Sequence, residues 1–560
     1  MAQTSLFCEK SLDQIEFRRK LSEQYNRNFM NHNDTKIGKD YFVMKLEEEM
    51  PGSCFKKVDG RRKPRQTWRK VINLKDCIFD YVKFDRPEFQ AVQRWLEEQQ
   101  IRETKGVFTD ILESNLGDLA QYCTLRTKRK KLFKEPTEKQ MKKYKEEKPL
   151  CWLQEQELKS GKVSYWLCWN VADNLNCVID DFQYDFGTGG IHGSIESQVV
   201  RSDDTWAIID QDVASYYPNM AISNRIYPEH LGEKFCDIYK DVYDQRKSYA
   251  KGTAENAMMK LALNGVYGDS NSKFSPFYDP QYTMSITIGG QLSLCMLAEM
   301  LLEVPTLSMI QVNTDGLTYR VKREYIEKAQ EVCNAWEKIT KLELEGVEYS
   351  RMFIRDVNNY IAETTDGKLK NKGAYQWQGL GWHQNHSSPI IGMAAEKALV
   401  DGGDIEEIIR NHENIHDFML RTKVPRSSRL VLSDSRDDAV VGNETQVQNI
   451  CRYYIANDGQ YLTKIMPPLP KGKKGKLWKH ELSGDEITTT KGTEETKAKR
   501  NGYVFVDDIE LPPEERRIGI DTNWKVKVCN DIHEFDGDIN YDYYIAEAKK
   551  LVDPLLTSEG

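Results

Sequence analysis

Apolar and polar positions in this chain follow two periods. Lys10 to Tyr25 and Phe89 to Gln100 repeat apolar residues at helical spacing, and residues 1 to about 150 read as mostly helical. Asn31 to Lys39 interrupts that region as a turn-rich loop. Trp206 to Ile209 is an apolar run of strand length, and the stretch it opens closes on a Pro218-Asn219 turn signal. Gly232 to Ala250 and a segment starting near Thr253 predict two antiparallel helices joined by a short turn. Thr253 suits an N-cap, with Asn256 at the capping-box position usually held by Glu or Gln. The longest apolar segment, Met284 to Leu302, contains Gln291 and Glu299 and lacks basic flanks, which predicts a buried helix rather than a membrane span. Thr306 to Val312 is apolar and extended and runs into Asp315-Gly316, a tight-turn pair, so a β-hairpin is expected there.

Composition adds bounds. With 560 residues, 39% hydrophobic and 30% charged, the chain is long enough for several domains of an ordinary soluble protein. Met1 to Lys20 has no apolar signal core, and the twelve cysteines include no C-x-x-C pair. Both features lead to the expectation of a reducing, cytoplasmic setting, with no membrane and no zinc site. The net charge of −8 argues against nucleic acid, but the charge is unevenly placed. Lys56 to Lys70 holds eight Lys/Arg against one acid, and Arg126 to Lys148 holds eleven against four. Such runs suit phosphate binding, and they equally suit solvated loops or helix faces. Trp68, among Arg61, Arg62, Arg65 and Arg69, is placed either to stack on a base or to pack on arginine stems. Lys471 to Lys476 reads as a flexible basic loop.

Three stretches carry candidate chemistry. In the first, Asp212, Val213, Ser215, Tyr216 and Tyr217 follow the Trp206 run. In the second, Lys260, Asn264 and Tyr267 share a helix face at i, i+4 and i+7, ahead of Gly268. In the third, Asn313-Thr314-Asp315-Gly316 forms the hairpin turn. Taken singly, each has a plainer reading: Asp212 as a cap, Lys260 as a solvated lysine, Asp315-Gly316 as only a turn. In this order the three resemble motifs A, B and C of family B DNA polymerases (D-x-x-S-L-Y-P, K-x-x-x-N-S-x-Y-G and Y-x-D-T-D-S), in the bacteriophage branch. The match is strongest over about residues 186 to 375.

That resemblance implies an α+β right-hand polymerase. Residues 1–185 would form an N-terminal region, 186–228 and 269–395 a palm with an antiparallel sheet, 229–268 short helical fingers, and 396–560 a thumb. It implies primer-dependent addition of dNTPs on a DNA template, in phage DNA replication. Two Mg²⁺ ions, with Mn²⁺ as a substitute, would be held by Asp212, Asp315 and the Val213 carbonyl. Arg246, Lys260, Asn264, Ser215, Tyr216 and Tyr217 would face the dNTP, Tyr217 as a gate against ribose. Gly189, Gly190, Tyr267, Gly268, Thr314, Tyr360 and Lys372 would touch primer–template DNA.

Several positions depart from the family pattern. Asn313 replaces an Asp of motif C, Gly187 replaces the Tyr of a Y-x-G-G linker, and Asn358 replaces the Lys of a K-x-Y motif. No Asp-x-Glu precedes Asp212, so proofreading is expected to be absent or to reside on a separate exonuclease subunit or other replisome protein. Protein-primed members of that family carry an extra region between motif A and the fingers, and the 48 residues from Asp212 to Lys260 leave no room for a long one, so the resemblance implies an ordinary nucleic-acid primer. The rival reading is a non-catalytic DNA-binding replication subunit with a degenerate motif C. Asn313, Gly187 and Asn358 favour it, and retention of Asp212, Tyr217, Lys260 and Asp315 opposes it. A reverse transcriptase or RNA polymerase is opposed by Tyr217.

Overall fold

Trp206–Val213 alternates between two buried faces and cannot stand alone, because a strand leaves its N–H and C=O groups unpaired on both edges. In the computed structural model it is paired on both sides. Gly316–Lys322 lies antiparallel on one edge and Leu344–Asp356 on the other. The structure describes residues 9, 11–132, 134–157, 163–380, 384–435, 444–468, 474–480, 484–489, 498–510 and 515–556. The fold is α+β, in two compact units: residues 1–357 with 362–370, and residues 358–361 with 371–560.

The first unit is built on one long antiparallel sheet. From Leu344–Asp356 the order runs through Trp206–Val213, Gly316–Lys322, Ser308–Asn313, Ile191–Ser194, Phe182–Phe186 and Val163–Ile179 to Thr109–Leu112. Val163–Ile179 also pairs with Arg126–Leu132 and Trp152–Glu157. Residues 1–150 are therefore mixed rather than mostly helical. Leu12–Gln24 and Pro87–Glu98 are helices where the pattern places them, but the basic segment Arg126–Leu132 is a strand. Its charges stay solvated while its backbone completes a neighbour's ladder.

Asn31–Lys39 differs too. Asn33 accepts from Lys36 N at 2.9 Å and caps a helix, Asp34–Glu49, so most of the expected loop is helical. Gly38 sits inside that helix because a β-carbon there would overlap the Leu261 carbonyl group and lie 2.6 Å from Ala262 N. The glycine lets this helix cross closely over the one that carries Lys260.

The apolar segment is a helix, Pro280–Leu302, buried almost throughout, and it serves as the hub of the unit. Its polar residues have specific partners, as burial in an apolar core requires. Gln291 accepts from Gly187 N at 3.0 Å and donates to Gly187 O at 2.8 Å. Glu299 accepts from Asp85 N and Arg86 N, satisfying N–H groups at the start of Pro87–Glu98. Gly289 and Gly290 admit the rings of Phe79 and Tyr216, and the Tyr216 hydroxyl donates to Gly290 O at 2.6 Å.

The helix pair is Lys234–Ser248 and Ala254–Asp269. Thr253 caps the second, accepting from Asn256 N at 3.3 Å. The reciprocal half of the expected box is missing, because Asn256 Nδ2 instead donates to Arg246 O and Tyr249 O, tying the turn to the first helix.

The second unit combines helices Pro389–Asp401, Ile405–Arg410 and Tyr541–Leu556 with three small antiparallel sheets. Tyr453 and Tyr454 are core residues there, with hydroxyls on Asp521 and Asp536. Asp404, which opens an Asp-Ile-Glu triplet lying after Asp315 in the chain, is an N-cap that accepts from Glu407 N at 2.8 Å. Lys471 and Lys473, of the expected basic loop, lie outside the described residues, and Lys474–His480 is a strand.

Candidate active site

Strand register brings Asp212 and Asp315 together. Asp212 pairs with Gly316 across one ladder, and Val213 N donates to Asp315 O at 2.8 Å. The two carboxylates therefore stand at the same end of neighbouring strands, 103 positions apart in sequence (315 minus 212). The hairpin turn differs from the expected one. The left-handed residue is Thr314, at φ 52°, while Gly316 is part of the strand. A β-branched residue rarely adopts that conformation, so surrounding contacts must hold it. Thr314 N donates to Ile191 O at 2.8 Å, its hydroxyl lies 3.3 Å from His192 Nε2, and its side chain fills the space beside Gly190. Gly316 is required for a different reason: a β-carbon there would overlap Asp212 Oδ1 and lie 2.7 Å from Gln211 O.

Asp210 was not anticipated from the sequence. It lies two residues before Asp212, hence on the same face of the strand, and is almost fully buried. It accepts from the Thr318 hydroxyl and the Tyr349 hydroxyl, each at 2.6 Å, and from Lys370 Nζ at 3.2 Å. Lys370 Nζ also lies 3.1 Å from the Tyr349 hydroxyl and 3.6 Å from Asp212 Oδ2. Three donors thus compensate the desolvation of Asp210, and one ammonium bridges two carboxylates.

Asp212 feels the sum of these charges. Its carboxyl is pushed up to about 6, first by burial and then by the negative charge of Asp210. Lys370 pulls the other way, and Asp315 adds repulsion. Burial and the Asp210 charge also raise the Tyr349 hydroxyl.

Beside the carboxylates, Ser215 adopts a left-handed conformation and begins the helix Tyr216–Ser223. This kink sends the two tyrosines to different places. Tyr216 is buried against the Pro280–Leu302 helix. Tyr217 is half-buried and stacks on Tyr267, with ring centroids 3.9 Å apart, and its hydroxyl lies 3.5 Å from Gly189 O. Gly189, Tyr217 and Tyr267, each expected at the site, therefore meet. Arg246 Nη1 lies 3.4 Å from Ser215 Oγ, which brings the first helix of the pair to the same place. Lys260, Asn264 and Gly268 are exposed on the helix that carries Tyr267, opposite its buried face of Met259, Ala262, Leu263 and Val266. Asn313 turns its amide towards Val357 O, at 3.5 Å. Tyr360 and Lys372 belong to the second unit, where Tyr360 is buried, Lys372 is exposed, and Lys372 N donates to Tyr360 O at 2.9 Å. The lysine beside the carboxylates is Lys370.

Among the described residues no three His, Cys, Asp or Glu side chains form a metal-holding cluster. The donor set is two carboxylates. That set fits Mg²⁺, which is commonly held by one or two carboxylates, with waters and substrate phosphates completing its shell.

No protein-family model matches the chain, and no curated protein does. Among solved structures, it aligns with the family B DNA polymerase of the hyperthermophilic archaeon Pyrobaculum calidifontis, at 14% identity and a TM-score of 0.29. The alignment covers 47% of this chain and 42% of that one.

Proposed function

We propose that this chain is a template-directed, primer-dependent DNA polymerase of the family B type, a right-hand enzyme serving phage DNA replication. In this reading the central strands of the first unit's sheet are the palm and the helix pair is the fingers. One observation carries it: three sequence stretches resembling motifs A, B and C converge, with Asp212 and Asp315 on adjacent strand ends and the Tyr217–Tyr267 stack beside them.

The residues take the following roles. Asp212 and Asp315, with the Val213 carbonyl, hold divalent cations. Mg²⁺ bound there supplies positive charge that lowers the pKa of a coordinated primer 3′-hydroxyl and neutralises the triphosphate. Arg246 and Lys260 bind the triphosphate and offset charge developing on the leaving pyrophosphate. Tyr217, held flat by Tyr267, supports the sugar of the incoming nucleotide. Base pairing with the template supplies sequence choice, so protein contacts to DNA are to its backbone.

A second reading, a DNA-binding subunit without catalysis, is favoured by Asn313, whose amide supplies no charge. Extension of a primer with dNTPs on DNA and on RNA templates separates the readings. Extension on DNA supports the polymerase, preference for RNA makes it a reverse transcriptase, and tight DNA binding without extension leaves the subunit.

A further inference from the structure

The first unit carries a basic and aromatic surface that the site above does not use. Phe55–Val58 and Arg61–Pro64 form a hairpin on which Lys56, Lys57, Arg61 and Lys63 are exposed and, among the described residues, make no ion pair. Arg62 lies over the Phe55 ring, and Arg69 is held by Asp279 and Glu229, so those two are already engaged. The segment after the hairpin is fastened to the loop that follows the Tyr267 helix. Gln66 Nε2 donates to Lys273 O and Ser275 O, both at 2.9 Å, and Thr67 N donates to Tyr278 O at 3.0 Å.

Two large aromatic rings stand out from this scaffold. Trp68 leans on Tyr278, with ring centroids 4.9 Å apart, and remains 62% exposed. Phe274 is 89% exposed. Lys273 Nζ is 5.9 Å from the Trp68 ring. Exposed aromatic faces are unfavourable in water and mark contact surfaces when they cluster.

We propose that Trp68, Phe274 and the Lys56–Lys63 hairpin bind single-stranded nucleic acid. Charge complementarity selects a polyanion, and two open ring faces select a strand whose bases are free to stack. A duplex offers phosphates but keeps its base faces covered, and an acidic protein segment offers charge without flat bases. Under the polymerase reading, on which this identity rests, the strand is the unpaired template ahead of the primer end. The loop bearing Lys273 and Phe274 begins just past the helix whose Tyr267 supports Tyr217.

The test uses the full chain with a fluorescent oligo-dT of about 20 nucleotides and a duplex of equal length, titrated at several salt concentrations. Trp68→Ala with Phe274→Ala is expected to weaken oligo-dT binding about tenfold or more, with duplex affinity nearly unchanged. Phe274→Ala alone, at a side chain too exposed to support the fold, is expected to cost oligo-dT binding about threefold or more. Lys56→Glu with Lys63→Glu is expected to flatten the salt dependence. Unchanged oligo-dT affinity in the aromatic variants overturns the proposal. So does an acidic polypeptide that displaces oligo-dT equally well from wild type and variant. A wild-type chain that binds oligo-dT through these rings yet never extends a primer refutes the polymerase reading alone.

Discussion

Asp212 lies directly across the antiparallel ladder from Gly316, and its Oδ1 occupies the volume that a β-carbon on residue 316 would need. The carboxylate is thus placed by the absence of a side chain on the neighbouring strand. Gly316→Ala must displace either Asp212 or the Gln211 backbone. We expect primer extension to fall by about two orders of magnitude or more, while overpacking costs only about 1–3 kcal/mol of stability. Steady-state extension rates beside a thermal melt check this. Full activity in a normally stable Gly316→Ala protein would remove the glycine from the account.

The two groups next to Asp212 are expected to move its titration in opposite directions. With its carboxyl pushed up to about 6 in the metal-free site, Asp212 takes up a proton in competition with the cation, so the apparent affinity for Mg²⁺, and with it extension at sub-saturating Mg²⁺, falls as pH drops through about 6. Lys370→Met removes the attraction that lowers the carboxyl and moves the acid limb to higher pH. Asp210→Asn removes repulsion and moves it to lower pH. Rate profiles with saturating DNA and sub-saturating Mg²⁺ measure both shifts, and a shared direction would contradict the arrangement.

The same elevation has a stability consequence. The folded value lies above the unfolded 3.8, so the proton contributes stability at low pH that is lost as pH rises through about 6. Asp212→Asn, which cannot ionise, is therefore expected to melt higher than wild type at pH 7 in the presence of a metal chelator. The gain is on the order of 1 kcal/mol, because the Asp212 side chain is 49% exposed and partly screened by water. A lower melting temperature for Asp212→Asn would count against this balance of charges.

Strands and helices with a clean apolar period were legible in the sequence. The Trp206 strand, the helix pair and the buried Pro280–Leu302 helix all lie where their patterns place them. Arg126–Leu132 was not legible, because pairing with Val163–Ile179 makes it a strand and its own composition does not. Asp315-Gly316 signalled a hairpin correctly but for the wrong residue: Thr314 takes the left-handed conformation, and Gly316 makes room for Asp212. Asp210 had a faint signal, since Asp210-Gln211-Asp212 alternates and both acids must share a face. Lys370 had none, because only the sheet brings it back to Asp210 from 160 residues away.

Tyr216 and Tyr217 are neighbours in sequence and opposites in environment. Tyr217→Val, which leaves Tyr267 unstacked beside the nucleotide, is expected to admit rNTPs far more readily while dNTP use falls only modestly. Tyr216→Val empties a core position and removes the side-chain hydrogen bond to the Gly290 carbonyl, so it is expected to lose about 3 kcal/mol or more of stability with nucleotide choice intact. Competition between dNTP and rNTP, alongside chemical denaturation, reads both. Equal discrimination in wild type and Tyr217→Val would end the gate.

The central claim is that Asp212 and Asp315 together hold the cations of nucleotidyl transfer. It is tested most directly by single-turnover primer extension with Mg²⁺, comparing wild type with Asp212→Asn and Asp315→Asn at DNA concentrations that saturate each protein. Wild type is expected to extend the primer. Each variant is expected to bind the same DNA with similar affinity and to extend it slower by about three orders of magnitude or more, a barrier raised by about 4 kcal/mol. Extension by either variant at a rate near wild type, with DNA binding intact, would contradict the assignment.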